Sequence, residues 1–179
     1  MKRVLMLAVA LAPACCAAEF SLDPAKTEIA FTLHDVLHTV HGTFKLKRGL
    51  IRFDPDSGNA SGEIVVDVTS GASGNGSRDR RMLKEILESQ RYPEATFTPD
   101  HVEGKLAPDE PSQVDVHGLF NIHGADHELT LHFQVEQSIA SAHFTIPYVQ
   151  WGIKDPSNFL LKVDKTVEMD IKTIVHAGS

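Results

Sequence analysis

The sequence predicts an all-β protein: an eight-stranded antiparallel barrel with one amphipathic helix covering an end. Three observations predict it. Apolar residues alternate with polar or small ones at Ile29-Phe31-Leu33, at Ile64-Val66-Val68 and along Leu129-Leu131-Phe133-Val135. Successive side chains of a strand point to opposite faces, so each run has one apolar face and one wet face. Such strands follow one another through short turns, which favours a sheet that closes on itself. The rhythm breaks once, at Met82, Leu83, Ile86 and Leu87, whose spacing is helical.

The first 18 residues stand apart from this fold. Lys2 and Arg3 precede a short apolar core from Val4 to Leu11, and small residues lead to Ala17-Ala18. This is the pattern of a secretory signal, with cleavage expected after Ala18 and a single barrel domain over 19–179. Both cysteines, Cys15 and Cys16, fall in the signal, so no disulfide is expected in the mature domain. A lipoprotein anchor on either cysteine is the competing reading, and Ala12-Pro13-Ala14 lacks the large aliphatic residue such a site usually shows. Export without disulfides suits a bacterial periplasm or the medium. Loss of Lys2 and Arg3 takes the formal net charge from -7 to -9. Bulk charge of that sign argues against nucleic acid and against attraction to anionic membrane. No second apolar stretch reaches spanning length, so no stable membrane insertion is expected.

The elements follow in order. A first strand runs from Phe20 to Leu33 with a bend at Asp23-Pro24, and a second from Val40 to Asp54. Gly42 and Gly49 in the second are expected to mark bends or bulges. Asp54 to Asn59 is a turn by composition, and Ser61 to Val68 is the third strand. The helix spans Ser77 to Ser89, with Ser77 as N-cap and Pro93 as a stop. Strands resume at Ala95–His101 and Ser112–Ile122 around the Pro108-Pro111 turn. Gly124-Ala125-Asp126 then turns into Glu128–Gln137. Ile139–Tyr148 and Val163–Val175 complete the sheet, with 151–160 less regular.

A closed sheet of about eight strands encloses room for packed side chains or one small ligand. That makes a binding protein the first hypothesis, ahead of an enzyme. Phe31, Phe44, Ile64, Val66 and Val116 belong to the expected inner face, with Phe120, Leu131, Phe133, Phe144 and Ile146. They either fill the interior or line an elongated pocket, and alternation is the same for both.

Polar candidates are fewer. Arg78-Asp79-Arg80-Arg81 opens the helix, where three cations oppose the helix dipole. They either pair with nearby carboxylates such as Asp79 or hold a polar head group at the cavity mouth. Arg78, Arg81, His34, Tyr148 and Trp151 are the head-group candidates. The ten histidines form two crowds, His34-His38-His41 and His117-His123-His127-His132. In strand or turn, residues four apart diverge by about 13 Å, so the spacing predicts no dedicated metal site. No Gly-x-Ser-x-Gly elbow, Walker loop or dinucleotide fingerprint is present, and no catalytic residue is assigned.

Several landmarks resemble one family. They are Gly42-Thr43-Phe44, Gly49 to Pro55, Ser73-Gly74-Asn75 with Arg78-Asp79, Tyr92 to Phe97, and Gly118 to Gly124. Their order and spacing resemble the YceI-like family of bacterial periplasmic proteins across the mature chain. The resemblance implies a lipocalin-like barrel that binds a long isoprenoid, quinone-type or other lipidic chain in an apolar tunnel, with no other cofactor. It departs at Ile86-Leu87-Glu88-Ser89, at Ser73 and at Tyr148 to Ile153. The expected function is therefore an exported lipid carrier. The rivals are a histidine-based metal-stress protein and a small lipid hydrolase. An edge left by incomplete closure would support a homodimer.

Overall fold

Alternation along the chain builds nine strands in the computed structural model, which describes residues 18–104, 110–159 and 161–177. The expected leader, apart from Ala18, lies outside the described residues, as do 105–109 of the turn around Pro108. β1 (Ala18–Leu22) and β2 (Glu28–His34) are two halves of one stave. Both lie between β3 (Thr39–Phe53) and β9 (Val167–Ala177). The Asp23 carboxylate accepts from the Ala25 N–H (2.9 Å) and caps a 3-10 turn over Pro24–Lys26 between the halves. Proline is tolerated there because a first-turn N–H has no helical partner to lose.

The other staves are β4 (Ala60–Ala72), β5 (Glu94–Gly104), β6 (Ser112–Ile122), β7 (Ala125–Glu136) and β8 (Ile139–Ile146), each antiparallel to the next. Pairing of β3 with β4 closes the ring at eight staves. Closure removes the open edge on which the expected strand-paired homodimer would depend.

Four local expectations are corrected. The register shifts in β3 fall between Thr43 and Lys45 and between Leu46 and Arg48, not at Gly42 or Gly49. Those glycines make room: a Cβ on Gly42 would stand 2.3 Å from the Phe31 ring, and one on Gly49 2.9 Å from Leu22 Cβ. The helix N-cap is Asn75, not Ser77. Asn75 is extended, and its Oδ1 accepts from the Ser77 and Arg78 N–H groups at 3.1 Å each. The β6–β7 turn is His123-Gly124, one residue earlier than expected. Both have positive φ (54° and 79°), the geometry of a two-residue hairpin whose twist matches its strands. Val163 lies outside β9, in an isolated bridge to Asp35, and its N–H donates to Ser157 Oγ (3.0 Å).

α1 (Gly76–Arg81) continues into a wider π-helical turn over Met82–Ile86. This short segment, with the 147–166 connection, covers the end of the barrel where β2, β4, β6 and β8 finish. The inner side chains of the staves form one apolar cluster with Ile86, Tyr148 and Ile153 of that cover.

Candidate functional site

The barrel is hollow. Beneath the helix lies a cavity of about 290 Å³, walled by inward side chains from most staves. Phe31, Phe44, Ile64, Val66, Phe120, Leu131, Phe144 and Ile146 all line it. Phe31 and Phe44 face each other across β2 and β3 with ring centroids 5.4 Å apart. The wall also includes Ile29, Leu33, Val68, Phe97, Leu129 and Met169, absent from the expected set. Ile29, Leu33, Val68 and Leu129 continue the alternation of a neighbour already named, whereas Phe97 and Met169 stand on β5 and β9, from which no wall residue was expected. From the cover, Met82, Ile86, Leu87, Ile153 and Leu161 complete the enclosure.

A second, smaller chamber of about 70 Å³ lies toward the opposite end. Val116 and Phe133 line this chamber and not the main cavity, with Phe20, Phe53, Val102 and Val114. Ile64 borders both. It is 7% exposed and pairs with Gly49 on β3 and Phe97 on β5. The branched Ile64 side chain therefore stands at the junction of the two spaces.

Among the described residues, the polar side chains that line the main cavity gather at its covered end. Arg78, Arg81, Ser73, Asp35 and Tyr148 line the cavity there. Arg78 Nε donates to Ser73 Oγ (2.7 Å) and its Nη2 to the Ser73 carbonyl (2.8 Å). Ser73 in turn donates to the Asp79 carboxylate through its N–H (2.9 Å) and its hydroxyl. Arg81 reaches Glu85 (3.6 Å) and the Pro156 carbonyl (3.4 Å), tying the helix to the 147–166 connection. The arginines thus pair locally and border the cavity as well. Asp35 accepts from the Leu37 N–H (2.8 Å) and the His38 N–H (2.7 Å). These bonds, the Leu37 amide foremost, hold its carboxyl below the usual range, aided by the nearby His38 ring.

Tyr148 is buried at the rim, and its hydroxyl donates to the Asp164 carbonyl (2.6 Å). Burial, followed by the charges of Asp155 and Asp164, pushes the phenol up from 10.0 to about 12. The folded protein then holds this proton more tightly than the unfolded chain. The resulting stability is fully present below pH 10 and lost as pH rises toward 12. Tyr148→Phe is expected to cost about 1 kcal/mol at neutral pH and to lose stability less steeply than wild type between those limits. Urea unfolding at stepped alkaline pH checks this, and parallel losses in the two proteins would refute it.

Two expected head-group residues lie outside the cavity. His34 points away because Leu33, its neighbour on β2, points in. The His34 ring bonds Thr39 Oγ1 (3.0 Å) and lies 4.0 Å from Glu168. Trp151 stacks on the His127 ring (centroids 4.2 Å apart, 5° between planes) and packs 6.1 Å from Phe120. It closes the barrel end behind Phe120 without reaching the cavity wall. Three further histidines pair with separate aspartates along the strands: His117 with Asp100 (2.7 Å), His132 with Asp115 (2.7 Å) and His143 with Asp170 (2.8 Å). Among the described residues, no three His, Cys, Asp or Glu side chains gather as a metal site.

A hollow apolar barrel with one helix over its end is the architecture that the family resemblance implies. The sequence profile of the YceI-like domain matches residues 20–175. The chain belongs to the YceI-like family. Solved structures share the fold. A polyisoprenoid-binding domain from Saccharophagus degradans, implicated in plant cell wall breakdown, superposes with a TM-score of 0.65 at 19% identity. That match covers 89% of this chain and 98% of the other. Burkholderia cenocepacia BcnA gives 0.67 at 17% identity, over 87% and 99% of the two chains. A Campylobacter jejuni YceI protein gives 0.62 at 17%, over 80% and 87%. At these identities the likeness is one of fold. No curated protein sequence matches this YceI-like chain.

Proposed function

We propose that this YceI-like protein is an exported carrier that holds the tail of a polyisoprenoid or quinone-type lipid inside its barrel. The observation that carries the reading is the cavity itself: apolar from Ile64 to the rim, with polar side chains gathered at the covered end. Transfer of hydrocarbon from water to such a space is worth about 0.8 kcal/mol per CH2 group, so a long prenyl tail binds tightly with few polar contacts. Arg78, Arg81 and Tyr148 then stand where a head group would rest. The related S. degradans domain, described as polyisoprenoid binding, supports the ligand class. A binding role also fits a rim whose Arg78, Ser73 and Asp79 are held to one another in local bonds.

Native mass spectrometry of protein purified from its own cells, followed by organic extraction, tests the proposal. A stoichiometric prenyl or quinone species is expected. Protein that is empty both as isolated and after incubation with such lipids would overturn it.

The junction at Ile64 predicts a chain-length limit. Ile64→Ala joins the main cavity to the lower chamber at a stability cost of roughly 2–4 kcal/mol. The variant is expected to retain longer prenyl chains than wild type from a mixed-length pool. An unchanged length distribution in the folded variant would show that Ile64 sets no limit.

A further inference from the structure

We infer that the lip of the cavity is a docking surface for a lipid bilayer. Among the described residues, five large apolar side chains are exposed, and three of them share this lip: Val36 (73%), Leu37 (71%) and Phe159 (96%). Val36 and Leu37 occupy the β2–β3 turn, which the Asp35 carboxylate fixes through the Leu37 and His38 N–H groups. Phe159 sits on a second turn, where the Asn158 N–H donates to the Leu161 carbonyl (2.8 Å) and the Leu161 N–H to Asn158 Oδ1 (2.8 Å). The two turns are joined. The Val36 N–H donates to the Lys162 carbonyl (3.2 Å), and Asp35 bridges Val163. Hydrogen-bonded backbone therefore presents these side chains to solvent.

The lip is continuous with the cavity, since Asp35, Leu161 and Val163 beside it are cavity wall. Charge points to the same occupant. The connections at this end, 35–38, 73–93, 123–124 and 147–166, carry eight of the chain's 17 Lys and Arg but six of its 24 Asp and Glu. An acidic protein thus turns its least acidic end outward around an apolar tip. Apolar anchors at an end with an excess of cations are what an anionic bilayer surface holds at its headgroup boundary, and an exposed apolar cluster of this kind marks an interaction face. Docking there would set the cavity mouth against the bilayer, so that an apolar tail moves between the two without crossing water. This purpose, though not the docking, rests on the carrier reading.

Flotation of the full chain with vesicles of phosphatidylglycerol and phosphatidylethanolamine tests it. Wild type is expected to float, and more weakly at high salt. The Val36→Ser, Leu37→Ser, Phe159→Ser triple variant is expected to lose about tenfold or more of that binding. Leu119→Ser, an exposed residue on the barrel wall, is expected to change nothing. Wild type that stays unbound, a triple variant that floats equally, or a loss as large in Leu119→Ser would each overturn the inference. Protein that floats through its lip yet takes up no prenyl lipid would keep the docking surface and remove the carrier. Lipid-loaded protein that never floats would do the reverse.

Discussion

Phe44→Asp is expected to weaken uptake of a prenyl chain by roughly a hundredfold or more, because an ionised carboxylate in an apolar wall must be desolvated by every tail that enters. Phe44 is the right position for this test. It lines the main cavity against Phe31 and is only half-buried, so the empty variant can hydrate the new charge and still fold. Phe133 is a poorer choice. It is buried in the lower chamber, and a charge there acts first on stability. The measurement is a titration with a fluorescent prenyl probe, with circular dichroism establishing that the variant is folded. Tight binding by folded Phe44→Asp would remove the cavity as the site.

Gly42→Val is expected to destabilise the barrel by about 3 kcal/mol or more, lowering the melting temperature by roughly 6–12 °C for a chain of this size. Gly42 has no unusual φ, so the cost is one of space. Its Cβ would meet the Phe31 ring at 2.3 Å and the Ala72 carbonyl oxygen at 2.6 Å. The ring is packed in the cavity wall and the oxygen belongs to the backbone of β4. Neither yields cheaply. Gly76→Ala is the matching control. At the first residue of α1, its Cβ meets nothing closer than Arg80 Nη1 at 3.7 Å, and stability is expected to hold or rise by about 0.4–1 kcal/mol. Calorimetry on both variants decides. A Gly42→Val protein as stable as wild type would show that the wall of β2, β3 and β4 is loosely packed.

Much of the cavity was legible because the side-chain period of a strand is two. Alternation assigned Phe31, Ile64, Leu131 and Ile146 to one face, and closure turned that face inward. The same rule, applied one residue further along β2, would have turned His34 outward. It was proposed as a head-group ligand for its chemistry, against its parity. Trp151 lies in an irregular connection, where no period exists to say which way it faces. Its stack on His127 joins residues 24 positions apart.

The sequence by itself determined the β class, the broken first stave at Asp23-Pro24, the single helix at the break in the rhythm, and the family. The first three rest on local pattern, within reach of a few residues, and the family on the order of such patterns along the chain. Only the tertiary structure decided that the interior is hollow and that Ile64 divides it, because parity names the facing side chains and the ring's closure sets the distance between them. It alone placed Val36 and Leu37 beside the turn that carries Phe159. That meeting depends on a backbone bond between Val36 and Lys162, across a gap in sequence that no local pattern spans.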